Sequence, residues 1–206
     1  MYLTGLGYLF VTGCCWIGIA ILRVAGPTDE GLVIHGILDE AGHLMTAFML
    51  ALGLRAMRLP VPVWSVLAGG VVLDIGHIFS LLDVIEPITG STRSGTHSMF
   101  VVTMLAMVGF LDRRHANIWL GITIGALSHL WRDMGTGFVP LAWPFVSEQL
   151  WGTSFTRYMV GLFGLSVAMT DIGLLLDVYN EHDVSSQRML PTRQYREARW
   201  RNDRPS

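Results

Sequence analysis

The stretch Leu127–Phe145, LSHLWRDMGTGFVPLAWPF, decides how the rest of the chain is read. It starts as the end of an apolar helix, where His129 and Asp133, four residues apart, project from one face. Gly135, Gly137 and Pro140 then break the helix. A histidine and a carboxylate beside hydrocarbon are costly as structure and good as metal ligands. A metal site there requires other helices to bring the same residue types to the same level.

The chain that surrounds this stretch has 206 residues, enough for one compact bundle. Half of it is apolar and its mean hydropathy is +0.48, which together with long apolar runs predicts an integral membrane protein. The net charge of -2 says little about partners, but every basic residue is arginine. Cys14 and Cys15 are adjacent in an apolar run and read as small core residues, not a disulfide. Val11–Cys14 faintly resembles a lipoprotein cleavage box. No arginine precedes it and apolar residues continue past it, so an uncleaved first helix is expected.

Apolar runs and breakers predict an all-α, polytopic bundle of about six transmembrane helices. They run over 5–24, 31–57, 61–82, 96–111, 116–133 and 155–179. Residues 135–152 are broken by prolines yet contain Trp143, Phe145 and Trp151, which fits a Pro/Trp-rich interfacial or re-entrant loop. The helical domain is expected over 1–184 and a polar, Arg-rich tail over 185–206, disordered or surface-bound. Six spans put both termini on one side. With the termini in the cytoplasm, that side holds Arg55, Arg58, Arg113, Arg114 and the six tail arginines. The other side holds Arg23, Arg93, Arg132 and Arg157. The positive-inside rule selects cytoplasmic termini.

On this map the unusual residues converge. Asp39 and His43 lie near the outer start of the second helix, with His35 a further turn back. Asp74 and His77 lie in the outward half of the third, His97 opens the fourth, and His129 and Asp133 end the fifth. Topology comes from the arginines alone, so the convergence is independent of it. Taken singly, each residue is better explained by a helix cap or a hydrogen-bonded interfacial group. Together they match the neutral imidazoles and carboxylates that a divalent metal takes. Six or seven ligands exceed one tetrahedral zinc and suit two ions roughly 3.5–4 Å apart, which lower the pKa of a bound water to about 7.

Other polar residues read differently. His115, His182, Asp177, Glu181 and Asp183 are expected to be solvated, and Asp83 and Glu86 to be loop residues. Arg93 and Arg132 either pair with Asp83, Glu86 or headgroups, or hold a phosphate with two hydrogen bonds each. Thr136 and the backbone of Gly135 and Gly137 are candidate further donors.

The motifs resemble those of the YdjM-like, LexA-regulated membrane-bound metal-dependent hydrolases. The matches are His43, then Asp74-Ile75-Gly76-His77, then Arg93 with Thr96-His97-Ser98, then Ser128-His129 with Asp133, Thr136 and Pro144, over residues 40 to 145. The chain departs from the family at Thr92, where the third motif opens with histidine, at Val72-Leu73 and at Ile75-Gly76. The set is also similar to that of zinc-dependent phospholipases C. This resemblance implies a bacterial inner-membrane, metal-dependent hydrolase, with one or two ions, zinc foremost. Its expected metal ligands are Asp39, His43, Asp74, His77, His97, His129 and Asp133. Asp74, His97 and Asp133 are the expected catalytic residues, and Arg93, Arg132 and Thr136 the expected substrate-binding residues.

The expected partners are a membrane lipid carrying a phosphate ester and, at the tail, anionic lipid or a protein. No nucleic acid is expected. The alternatives are a non-catalytic subunit with a structural metal and, third, a metal or proton carrier. A carrier needs polar residues through the full depth of the bundle, and the inner halves of helices two to five hold few.

Overall fold

The computed structural model describes residues 5–25, 32–76, 93–146 and 151–189. These residues form α1 (Gly5–Ala25), α2 (Leu32–Ala56), α3 (Val63–Val72), α4 (Met99–Leu111), α5 (Ala116–Thr136) and α6 (Phe155–Met189). No strand occurs among them, only an isolated bridge between Val139 and Trp151. The all-α expectation therefore holds.

The end of α2 follows from local chemistry. Leu59 N–H reaches back to the Leu54 carbonyl at 3.0 Å while Arg58 takes the left-handed conformation, φ 59°. This is a Schellman-type stop, and Pro60 prevents the helix from resuming. Pro62, at φ -66° and ψ 130°, then leads into α3.

Two helices differ from expectation. The third ends at Val72 after ten residues, and Asp74 stands in the turn beyond it, before Ile75 and Gly76 are again helical. His77 lies outside the described residues. The last helix runs on to Met189, past the expected end near Tyr179, because leaving the apolar stretch removes burial but no backbone hydrogen bond. Residues 190–206, with five of the six tail arginines, lie outside the described residues.

Small residues set the closest approach in the bundle. Ser65 and Gly69 on α3 meet Gly121 and Gly125 on α5, each pair one helical turn apart. A Cβ on Gly125 would overlap the Val66 carbonyl, and one on Gly69 would overlap the Ile122 carbonyl. Such small-xxx-small faces let two backbones touch, which is how helices associate where no hydrophobic effect drives them together. Ile19, Ala47, Met49, Leu50, Tyr158 and Leu162 form one core cluster between α1, α2 and α6. Leu73, Val102, Ala126 and Leu130 form a second among α3, α4 and α5.

The segment after α5 folds back over the bundle. Val139 and Trp151 exchange backbone hydrogen bonds of 2.8 and 2.9 Å, and Met99 N–H donates to the Leu141 carbonyl at 3.0 Å. Phe138, Phe145 and Trp151 are left exposed at this end, as suits aromatic rings at a membrane interface. At the other end, the Trp119 indole and the His115 ring donate to Asp112 and hold its carboxyl below the usual range.

Two stretches, Gly36–Ala56 and Phe155–Leu176, are long and apolar enough to cross a membrane. Gly7–Ile21, Val63–Val72 and Met99–Leu111 are apolar but shorter. Thus two of the expected six spans meet that criterion among the described residues. α5 is 21 residues long, but its last turns carry buried His129, Arg132 and Asp133.

Replacing Gly125 with leucine must push α5 off α3, a change expected to cost about 1–3 kcal/mol of stability. Thermal unfolding in detergent checks it, with Gly13→Leu as control, since no atom lies within 4 Å of a Cβ there. Equal midpoints for the two variants would contradict the packing.

Candidate metal centre

The chemistry begins where α3 ends. A helix leaves its last carbonyls without intrahelical partners. The Gly70 carbonyl is one of these, and it accepts a hydrogen bond from His129 Nδ1 at 2.7 Å. A carbonyl only accepts, so Nδ1 carries a proton, and in the neutral ring Nε2 then carries the lone pair. A second histidine is fixed in the same way. The Thr96 hydroxyl donates to the Leu73 carbonyl at 2.8 Å, and its oxygen faces His97 Nδ1 at 3.2 Å. With the hydroxyl proton in use, His97 Nδ1 must donate and Nε2 again holds a lone pair.

Both lone pairs point at carboxylates. His129 Nε2 is 3.1 Å from Asp133 Oδ2 and 3.5 Å from Asp74 Oδ2. His97 Nε2 is 3.2 Å from Asp74 Oδ1 and 3.5 Å from Asp133 Oδ2. His43 Nε2 is 3.4 Å from Asp133 Oδ1, and neither ring nitrogen of His43 has a hydrogen-bond partner. His43 and His129 stack nearly parallel, centroids 3.7 Å apart, a contact suited to neutral rings. His43, His97, His129 and Asp133 are all at most 1 % exposed, so water does not answer these groups.

In the neutral rings acceptors face acceptors, an arrangement that could hold a metal ion. Ligand atoms 2.0–2.1 Å from one tetrahedral ion lie roughly 3.3 Å from each other. The observed separations, 3.1 to 3.5 Å, straddle that edge length. Two groups have metal-holding geometry, His43–His129–Asp133 and Asp74–His97–His129, and they share His129. One nitrogen lone pair serves one ion, so the described residues make one full site.

Around this core lies a ring of charge. Arg93 is 2.7 Å from Asp133 Oδ1 and 3.2 Å from Asp39 Oδ2, and Arg132 is 2.5 Å from Asp39 Oδ1. Arg132 reaches Asp39 across Gly42, where any Cβ would overlap its guanidinium. Asp39 is 3.8 Å from His43 but is held by both arginines, so it stands beside the ligand groups and outside the two metal-holding sets. Asp39, Arg93 and Asp74 are 28, 17 and 16 % exposed, which makes theirs the open side of an otherwise sealed centre.

Two expected donors are used elsewhere. The Thr136 hydroxyl lies 3.3 Å from the Arg132 and Asp133 carbonyls of its own helix. Gly137 N–H donates to the Asp133 carbonyl at 2.8 Å. Gly135 instead makes room for the Tyr158 ring. Conversely, Glu40, which is not among the expected ligands, lies close enough to Asp74 for the two carboxyls to interact. Its position three residues before His43, on the same helical face, was the available signal. His77, Asp83 and Glu86 lie outside the described residues.

The curated proteins contain no match to this chain, and neither do the solved structures. The family model described as YdjM inner membrane protein matches residues 38–193. That span takes in every residue of the centre and most of the chain, and on it the chain belongs to the YdjM inner membrane protein family.

Proposed function

We propose that this protein is a membrane-bound, metal-dependent hydrolase of a phosphate ester in a lipid, a phospholipid or a polyprenyl phosphate. The observation that carries the reading is the pair of histidines whose tautomers are set by Gly70 and Thr96. Their free lone pairs converge on Asp74 and Asp133 at the edge lengths of a tetrahedral metal site. His43, His129 and Asp133, or Asp74, His97 and His129, would hold the ion. When bound, a divalent ion such as zinc supplies a Lewis acid and a water acidified to near neutral pKa.

The chain's own residues do the rest. Arg93, on the open side, is placed to exchange Asp39 for an incoming phosphate, and Arg132 to follow it. Asp74 is the more exposed of the two converging carboxylates and is backed by Glu40, which places it to take a proton from the attacking water.

In this reading the helices cross the bacterial inner membrane as a six-span bundle with both termini in the cytoplasm. The arginine distribution supports it. The centre then faces outward, with Trp151 and Phe145 at headgroup level. The tail arginines attract anionic lipid at about 1 kcal/mol each at most.

Elemental analysis of the purified protein is expected to find bound transition metal, with His129→Ala losing most of it while keeping its fold. Lipid-phosphate hydrolysis, assayed on phosphatidic acid and polyprenyl phosphates, is expected to be lost with the metal. Metal retained at wild-type level in His129→Ala would exclude the site.

Sidedness has its own check. After replacement of Cys14 and Cys15, a cysteine at Ser154 is expected to react with an impermeant reagent in intact cells, and one at Arg114 not to. The reverse pattern would place the centre on the cytoplasmic face.

A further inference from the structure

Beside the centre lies a groove of about 420 Å³, between the first turns of α4 and the segment that folds back after α5. Met99, Phe100, Met104, Leu141 and Trp143 line it, and Phe145 packs edge-on against Phe100 at 6.0 Å. The polar residue in its wall, Thr103, uses its hydroxyl on the Met99 carbonyl at 2.7 Å. The groove is therefore lined almost wholly by apolar surface, with Met, Phe, Leu and Trp side chains forming its walls.

The head end is joined to the metal centre in two ways. Met99 follows His97 by two residues and is tied to Leu141 by a backbone hydrogen bond of 3.0 Å. Trp143 lies against Gly95, so closely that a Cβ there would come within 2.8 Å of the indole. Gly95 belongs to the same loop as Arg93, Thr96 and His97. One wall of the groove thus rests on the loop that carries both the phosphate-facing arginine and a metal-facing histidine. Met99 and Met104 leave it open at the protein surface, 43 and 38 % exposed.

We infer that this groove holds the hydrocarbon chain next to the phosphate of the substrate, entering sideways from the bilayer while the headgroup reaches Arg93. The inference rests on the hydrolase reading and sharpens it. The substrate is a long-chain amphiphile whose chain lies along α4, and a water-soluble phosphate ester lacks the part that fills the groove. Methionine and aromatic walls suit a flexible chain, since they repack around it without polar cost. Seating the phosphate through the chain also limits its freedom at the reacting atoms, which a soluble ester would have to lose on binding.

The experiment is photolabelling of the metal-loaded, full-length protein with hexadecyl phosphate bearing a diazirine near the chain end. Label is expected on residues 99–104 and 141–145, competed by unlabelled hexadecyl phosphate and not by inorganic phosphate. Thr103→Trp, which fills the groove, is expected to reduce that label about tenfold, a loss of one decade in binding, with metal content unchanged. Met104→Trp serves the same purpose should Thr103→Trp fail to retain metal. Label spread evenly over the lipid-facing sides of α1 and α6 without competition would show bulk lipid only and overturn the inference. So would unchanged yield in both filled variants. Labelling needs no turnover, so it separates the two readings. Absent hydrolysis with specific label removes the catalytic reading and leaves the groove, whereas hydrolysis with unspecific label removes the groove alone.

Discussion

The hydrogen bond from His129 Nδ1 to the Gly70 carbonyl, 2.7 Å long, is the contact on which the rest depends. It exists because α3 stops at Val72 and leaves carbonyls without partners, and because glycines let α5 touch α3 closely enough to use one. It sets a tautomer, and the tautomer decides what the cluster is. With the neutral ring protonated at Nδ1, His129 Nε2 meets Asp133 and Asp74 as one acceptor meeting others, an arrangement that a bound cation relieves. Thr96 repeats the device for His97, anchored to the Leu73 carbonyl just past the end of α3. A short helix end thus orients two ligands at once.

Much of this was legible in residue types and spacing. His129 and Asp133 at i, i+4, His43 near the start of α2 and His97 before α4 all follow from period and breakers, and the bundle brings them together at one end. Less legible was whatever depends on pairs distant in sequence. The ion pairs of Asp39 with Arg93 and Arg132 cross 54 and 93 residues, and no local pattern encodes them. The end of α3 was hidden because Gly69 and Gly70 prolong an apolar run while serving as contact surface and not as span. The extension of α6 was hidden for the opposite reason, since hydropathy marks where a membrane stretch stops and says nothing of where a helix does.

The span count has a related explanation. An ordinary transmembrane helix is apolar along its length, whereas α5 gives its final turns to ligands and α3 is cut short to free its carbonyls. Both departures sit at the buried His/Asp cluster, and local rules are commonly broken at functional sites. α2 and α6, which pack through Gly53 and Gly173 against Met169 and the Ala56 carbonyl, keep the regular form.

The central claim is that this buried cluster is a metal centre and not a self-contained polar network. X-ray absorption at the edge of the metal that copurifies with the protein tests it most directly. The account predicts a first shell of nitrogen and oxygen at about 2.0–2.2 Å, with the outer-shell scattering of two or three imidazoles. A first shell of water oxygens alone, without imidazole scattering, would contradict it.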